Sequence, residues 1–380
     1  MNTNAAETEQ RTAIDQRIAE LIQEHGTPNR SFDEQADDTL LDVVIEQGLA
    51  SSEGGKRLRA LLCLSAFDAA YHQPPAQERR HCALDVACAI EVFQTAALVH
   101  DDIIDESDLR RGKPAAHKAL ASSVAAGYPA DDAAHAASIG NGLGIMLGDL
   151  LATASVSIVN EATVGLSNHR HIVDAFLSMH RDVEIGQVLD LAAEQLPLDD
   201  PDTMIRKSLS VFRWKTASYT TIAPLALGLL AADLPLQEAW QTALEVGKPL
   251  GLAFQLADDL LDVISDSAIT GKPIGGDIRE GKRTVLLADA LKAADDVDRQ
   301  YLQQAYAASH RDEQQVATII SLFESTGAID QSRNRIAALW QQTENALHHK
   351  ATALGFSDEQ KAMLTSVCTC FVPDNIRRTA

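Results

Sequence analysis

The sequence predicts an all-α protein: one large helical bundle with a central cavity between two Asp-rich helices. Three observations carry that reading. Strand signals are almost absent, with few Val/Ile/Thr/aromatic alternations and no hairpin dipeptide between apolar runs. Ala, Leu, Glu and Gln dominate, and apolar residues recur at three- and four-residue spacing, as in Leu58-Leu61-Leu62-Ser65-Ala66-Ala69 and Ile90-Phe93-Ala97. Two runs, Asp101-Asp102-Ile103-Ile104-Asp105 and Asp258-Asp259-Leu260-Leu261-Asp262, put carboxylates at i, i+1 and i+4, so the first and last share one helix face.

Size and composition fit this class. The chain has 380 residues, 46% hydrophobic and only 4% aromatic, enough for a large aliphatic core. A formal charge of −22 argues against nucleic acid and anionic membrane as partners, since both need basic surface. The five cysteines lack zinc-ligand spacing and read as reduced thiols, which suits a cytoplasmic setting. The start, MNTNAAETEQRTAIDQRI, has no apolar signal core. The most apolar segment, Ile222 to Leu236, is broken by Pro224, Asp233 and Pro235, so no stable membrane insertion is expected.

Taken along the chain, residues 1–36 read as a polar N-terminal lead-in and 37–380 as a single all-α domain. Ten or more helices are expected, with connections at Gln73–Gln77, Gly112–Pro114, Gly127–Asp132, Pro197–Asp202 and Asp266–Gly281. Gly54-Gly55-Lys56-Arg57-Leu58-Arg59 reads as a helix start, where backbone N–H groups with Lys56 and Arg59 make an anion site. After the first acidic motif, Gly112 and Pro114 stop the helix and leave Arg110 and Arg111 to fork onto phosphate oxygens. After the second come Gly271-Lys272-Pro273 and Asp277-Ile278-Arg279-Glu280-Gly281-Lys282-Arg283. Lys215, in the mostly apolar Phe212–Ala217 stretch, reads equally as a snorkelling side chain or a ligand.

The acidic faces predict hard divalent cations. Like charges so close repel unless neutralised, and both runs follow apolar stretches. All-oxygen ligation favours Mg²⁺, with Mn²⁺ as substitute, and Mg²⁺ usually binds carboxylates jointly with substrate phosphates. The cations divide into a metal-independent group (Lys56, Arg59, Arg111) and a group around the acidic faces (Arg110, Lys215, Lys272, Lys282). Two diphosphates, one metal-bound and one salt-bridged, fit that division, and the Ala, Leu, Val and Phe walls suit hydrocarbon tails.

GGKRLR, HDDIIDESDLRRGKP, GQVLDL, WKTASY, GLAFQLADDLLD and GKPIGGDIREGKRT stand in an order and spacing that resembles the trans-isoprenyl diphosphate synthases, or polyprenyl synthetases, across residues 54 to 284. The geranylgeranyl diphosphate synthases are the most similar branch. The resemblance implies the isoprenoid-synthase bundle, a homodimer, and about three Mg²⁺ held between the Asp motifs and an allylic diphosphate. It implies that Asp101 and Asp105 ligate two metals and Asp258 the third, supported by Asp102, Asp259 and Asp262. By the same resemblance Lys56, Arg59 and Arg111 clamp isopentenyl diphosphate. Arg110, Lys215, Thr216, Gln255, Lys272 and Lys282 meet the allylic diphosphate and the carbocation, Gln187 and Asp190 face the metals, and the departed diphosphate takes the proton. The segment from Phe371 to Ala380, with Arg377 and Arg378, would close over the site.

Two departures stand out. Gln94 occupies the position, seven residues before the first Asp, where the family often has a His that contacts isopentenyl diphosphate; an amide still donates a hydrogen bond to phosphate. His117 to Asp149 is longer than the compact form and resembles the actinobacterial branch, so a surface insertion or lid is expected over 118–148. Product length follows from the helix bearing Asp101. Ala96 and Ala97 stand where bulky aromatics stop short products in the family, and Phe93 is the next candidate stop. Geranylgeranyl or longer products are therefore expected, with farnesyl diphosphate as the alternative. A class I terpene cyclase is a further alternative, but it needs neither GGKRLR nor a second motif of the DDLLD type.

Overall fold

A computed structural model describes residues 3–26, 39–71, 76–127, 133–264 and 274–377. Among them the secondary structure is helical apart from one two-residue-per-strand hairpin. Lys272 and Arg378 lie outside the described residues. The chain forms two compact units, one of residues 1–67, 71–176 and 227–233, the other of residues 68–70, 177–226 and 234–380.

The first unit contains α1 (Thr3–Gly26), α2 (Thr39–Ser52), most of α3 (Leu58–Ala70), α4 (Gln77–Ile104), the hairpin strands β1 (Leu109–Arg110) and β2 (Lys113–Pro114), α5 (Ala116–Gly127) and α6 (Ala133–Thr163). Its axis is α4, which packs most extensively on α6. Val86, Ile90 and Phe93 of α4 are buried, and only the last turn brings the first acidic motif to its end. Twenty-eight residues at ~1.5 Å each make a rod of roughly 42 Å, long enough to carry a core at one end and chemistry at the other.

The stretch read as a polar lead-in holds α1, whose Ile14, Ile18, Leu21 and Ile22 are all buried. These positions recur at three- and four-residue spacing, so one apolar stripe docks on α4 and α6 while the remaining faces stay polar. The described residues of the 118–148 segment, expected as a surface insertion or lid, belong to helix α5 and to the start of α6, which pack on each other, with Leu120 and Val124 buried. It is packed structure.

The second unit holds most of α7 (His169–Ala193), α8 (Pro201–Val211), a wide π-helical segment (Phe212–Ile222), the start of α9 (Ala223–Ala231), α10 (Leu236–Ile264), α11 (Gly276–Glu280), α12 (Val285–Ala293), α13 (Asp296–Ala307), α14 (Glu313–Ser325), α15 (Ala328–Ala353), α16 (Asp358–Thr369) and α17 (Asp374–Arg377). Here α10 is the axis, packing on α15 and on the π segment. Asp200 starts α8 by accepting from Thr203 N–H at 3.0 Å, with Pro201 at the first helical position. Asp312 with Gln315 and Ser357 with Gln360 form reciprocal capping boxes at α14 and α16.

Two helices are long and apolar enough to cross a membrane, Gln77–Ile104 and Ala134–Thr163. The first is α4, 72% buried over its apolar window, a core helix; the second is α6, only 44% buried over its own. On α6 the exposed Ile145, Met146 and Leu150 form an apolar face that none of the described residues covers fully.

If α1 belongs to the core, Ile18→Ala should destabilise the protein by about 2–4 kcal/mol, the usual cost of truncating a buried isoleucine. Urea unfolding checks this, and a midpoint equal to wild type would make α1 an appendage.

Candidate active site

In the first unit the acidic motif sits where α4 runs out. Asp101 and Asp102 lie in its last turn, and Asp105 caps it, its amide donating to the Asp101 carbonyl at 2.8 Å. The chain then reverses through the hairpin, pairing Leu109 with Pro114 and Arg110 with Lys113. Arg111 and Gly112 form the two-residue turn, with φ of 54° and 75°. Positive φ at both positions matches the twist of a tight hairpin, so the expected helix stop at Gly112–Pro114 is a reversal instead.

That reversal separates the two arginines, which the sequence presented as a neighbouring pair of phosphate forks. Arg110 turns back onto the acidic motif, donating through Nε to Asp102 Oδ1 at 2.8 Å and through Nη2 to the same oxygen. Burial pushes the Asp102 carboxyl up and the Arg110 contact opposes it. Arg110 is itself raised overall: burial, the largest single cause, works against its charge, but the bond to Asp102 and the charges of Asp102, Asp101 and Asp105 together outweigh it. Within this unit Asp102 is therefore neutralised from inside the protein.

Arg111 turns the other way, onto GGKRLR. Its Nη1 donates to the Glu53 carbonyl at 2.6 Å, beside a Lys113–Glu53 ion pair at 2.9 Å. A methyl group built on Gly55 (φ 91°) would sit 2.9 Å from the Arg111 guanidinium, so this loop needs glycine both for its backbone angle and for the approach. Helix α3 begins at Leu58, as the sequence predicts, with Lys56 exposed and Arg59 buried just ahead of and within its first turn. The Arg111 guanidinium is held below its ordinary range by burial first, then by the positive charge of Arg57, with Glu91 opposing and Arg110 and Arg59 adding to the lowering. Cations crowded enough to weaken one another's protonation form a site that an anion would stabilise.

In the second unit Lys215 and Thr216 lie on the π segment, where Ala223 N–H donates to Ser218 O across the wider i→i+5 turn. Such wide turns concentrate at functional sites. Lys215 Nζ donates to Asp190 Oδ2 at 2.6 Å, so this lysine has a carboxylate partner. Gly186 of α7 makes this possible: a methyl there would overlap the backbone nitrogen of Lys215. Thr216 Oγ1 donates to Gln255 Oε1 at 2.8 Å, and Gln255 Nε2 donates to Asp259 Oδ1 at 2.8 Å. The chain Thr216–Gln255–Asp259 fixes which face the Gln255 amide presents.

The second acidic motif is heterogeneous. Asp258 is exposed, Asp259 is buried, and Asp262 is half-buried. Both Asp262 oxygens accept backbone N–H groups, from Gly276 and Asp277 at 3.1 Å each, and its carbonyl accepts from Gly275 at 2.8 Å. Through these bonds Asp262 anchors α11. Asp259 Oδ2 is buried with no hydrogen-bond partner among the described residues. Burial drives the Asp259 carboxyl well up, and the charge of Asp277 drives it further. Asp277 itself is pushed up to about 6, first by burial and then by Asp262, Glu280 and Asp258, with Lys282 opposing. Lys282 pairs with Glu280 at 2.8 Å and lies 3.5 Å from Asp277.

Asp277 was not among the predicted ligands, although it stands five residues before Lys282 in a loop already marked by its glycines. Its helix is held from behind: buried Arg311 donates to the Arg279, Ala305 and Ala308 carbonyls and stacks on Tyr306. Among the described residues no three His, Cys, Asp or Glu side chains already close on one point. Mg²⁺ fits such a donor set, since it keeps waters and takes substrate oxygens beside one or two carboxylates. The partnerless Asp259 oxygen and the raised Asp277 carboxyl are both what a missing divalent charge would correct.

The remaining predicted residues are placed as follows. Gln94 and Ala97 are half-buried on α4, and Phe93 and Ala96 are buried. Phe371 packs edge-on against Phe254, and Arg377 stacks on Trp340 and pairs with Asp374.

Residues 44–323 match the polyprenyl synthetase family model. The chain belongs to that family. It is 33% identical over 79% of its length to the short chain isoprenyl diphosphate synthase of Methanothermobacter thermautotrophicus, spanning 85% of that protein. It is 32% identical to the geranylgeranyl diphosphate synthase of Sulfolobus acidocaldarius, over 67% of this chain and 68% of that one. A solved geranylgeranyl pyrophosphate synthase from Corynebacterium glutamicum, complexed with isoprenyl diphosphate and magnesium, superposes with a TM-score of 0.83 at 30% identity, covering 97% and 99% of the two chains. The fold is the all-α isoprenoid synthase fold, and the protein is a trans-prenyl diphosphate synthase, a transferase.

The Asp277 carboxyl gives a pH signature. Its folded value of about 6 exceeds the unsupported 3.8, so the folded state keeps a proton that the unfolded chain has released. Its contribution to stability is full below the lower value and is lost as pH rises through the higher one. Metal-free Asp277→Asn should therefore lose less stability than wild type between pH 4.5 and 7, read by urea midpoints at both. Parallel slopes would contradict the crowding.

Proposed function

We propose that this enzyme condenses isopentenyl diphosphate head-to-tail with an allylic diphosphate to give a trans-polyprenyl diphosphate of geranylgeranyl length or longer. Farnesyl diphosphate is the runner-up product. The observation that carries the reading is the division of cations: Arg111 lies among Arg57 and Arg59 of the GGKRLR run, while Lys215 and Lys282 sit beside carboxylates. Two diphosphates handled differently call for that division.

The residues divide the work. Lys56, Arg59 and Arg111 bind the isopentenyl diphosphate, with Gln94 donating one further hydrogen bond. Asp101, Asp105 and Asp258 would hold about three Mg²⁺, or Mn²⁺ in substitution, and Asp102, Asp259 and Asp262 would support them. Magnesium, when bound, supplies the positive charge that lets the allylic diphosphate leave. Lys215, Lys272 and Lys282 bind the departing oxygens, and Arg110 exchanges Asp102 for a phosphate partner. Thr216 and the Gln255 amide oxygen face positive charge on the allyl group, oriented by the hydrogen bond to Asp259. Aliphatic walls keep water from that cation. The two acidic motifs serve one reaction, and the two units work as one prenyltransferase domain.

The exposed Ile145–Met146–Leu150 face of α6 supports a homodimer, since this is an apolar surface that a second copy would cover. Five free cysteines support a reducing, cytoplasmic setting.

Labelled isopentenyl diphosphate with Mg²⁺ and each allylic primer should give chain-elongated products on chromatography after dephosphorylation. Asp101→Ala and Asp258→Ala should each abolish turnover; near-normal rates in either would refute the assignment. Ala96→Phe should shorten the product by at least one isoprene unit, because one helical turn (~5.4 Å) is about one unit long. An unchanged product length would move the stop to another helix.

A further inference from the structure

The metal-independent cation loop is held from outside the family-matched residues. Arg57, between Lys56 and Arg59, does not face solvent as the sequence order would suggest. It caps α3 with a left-handed φ of 53°, and its side chain is only 4% exposed. A non-glycine residue holds such a backbone only where its surroundings over-determine it. Three contacts do so. Arg57 Nε donates to Asp15 Oδ1 at 2.6 Å, Nη2 donates to the Ser52 carbonyl at 2.6 Å, and Nη1 lies 3.5 Å from Glu91 Oε2. Buried Glu91 closes the arrangement, its Oε1 accepting from Ala60 N–H at 3.1 Å within the first turn of α3. A guanidinium taken out of water this fully needs its partners, and removing one leaves an uncompensated charge behind the loop.

Glu91 and Ser52 lie within residues 44–323, but Asp15 is on α1, ahead of them. Beyond its buried apolar stripe, α1 is tied to α4 by Arg17, whose Nε donates to Asp85 Oδ1 at 2.8 Å. The Asp15 and Arg17 contacts thus do different things: one reaches the cation loop and the other only docks the helix.

We propose that Asp15, acting through Arg57, is a positioning residue for the isopentenyl diphosphate site, fixing the backbone from which Lys56 and Arg59 project. This rests on the functional reading of Lys56, Arg59 and Arg111 given above. With Asp15 removed, Arg57 keeps its charge but loses its shortest ionic contact. The turn at residues 54–57 then samples other conformations, and the two flanking cations no longer converge. The allylic side is not touched.

The test uses full-length protein and two readouts. Hydrogen exchange over residues 52–60 reports the loop whether or not the protein condenses anything. Calorimetric titration of isopentenyl diphosphate without metal reports the site. Asp15→Asn should speed exchange over 52–60 and weaken isopentenyl diphosphate by about tenfold, equivalent to ~1.4 kcal/mol. KM for the allylic substrate should hold, and Asp15→Glu should restore most of the affinity. Arg17→Met should shift the melting temperature while leaving the isopentenyl diphosphate affinity within about twofold of wild type. Unchanged exchange and affinity in Asp15→Asn would overturn the proposal. So would an equal affinity loss in Arg17→Met, which would put the effect in helix docking as a whole. Faster exchange in a protein whose wild type binds no isopentenyl diphosphate would leave the Asp15–Arg57 contact standing and overturn the reading of the site.

Discussion

Carboxylates held close together in a partly dry environment are the constraint from which the second unit's architecture follows. Burial, and after it the charges of neighbouring carboxylates, raises the proton affinity of Asp259 and of Asp277. The protein answers only part of that charge. Asp262 is satisfied by two backbone amides, Asp277 has a lysine 3.5 Å away, and one oxygen of Asp259 has nothing among the described residues. A fold that leaves negative charge uncompensated forgoes stability there, and function is the common reason for such a cost. The supporting structure is correspondingly stiff: Arg311 gathers three carbonyls behind α11, and Gly186 lets the π segment approach α7 closely enough for Lys215 to meet Asp190.

The first unit solves the opposite problem. Its acidic motif has an internal cation in Arg110, and its surplus charge is positive, gathered around GGKRLR. A two-residue hairpin turn sends Arg110 and Arg111 to different duties. One arginine pairs with a carboxylate of the acidic motif; the other joins the cations of GGKRLR.

Much of this was legible in the sequence. Helical periodicity, the paired DDxxD runs, the helix start at GGKRLR and the apolar setting of Lys215 are local signals, and local signals survive folding. What was not legible depends on which surfaces meet. The polar composition of residues 1–36 concealed α1 because four apolar residues on one stripe scarcely change an average. The sequence assigned Arg57 no role, and only the partners Asp15 and Glu91, distant in sequence, show that it turns inward. The π segment, the Gly186 contact and the role of Asp277 have no signature in spacing. The sequence already divided Arg110 from Arg111, but the hairpin turn that sends them opposite ways was not legible in it.

The central claim is that the uncompensated carboxylates await a divalent cation that arrives with a diphosphate. Isothermal titration calorimetry of Mg²⁺ into the protein, with and without saturating inorganic diphosphate, tests it most directly. The account predicts weak binding of Mg²⁺ alone and binding at least tenfold tighter, about 1.4 kcal/mol or more, when diphosphate is present. Equal affinity for Mg²⁺ in the two titrations would contradict it.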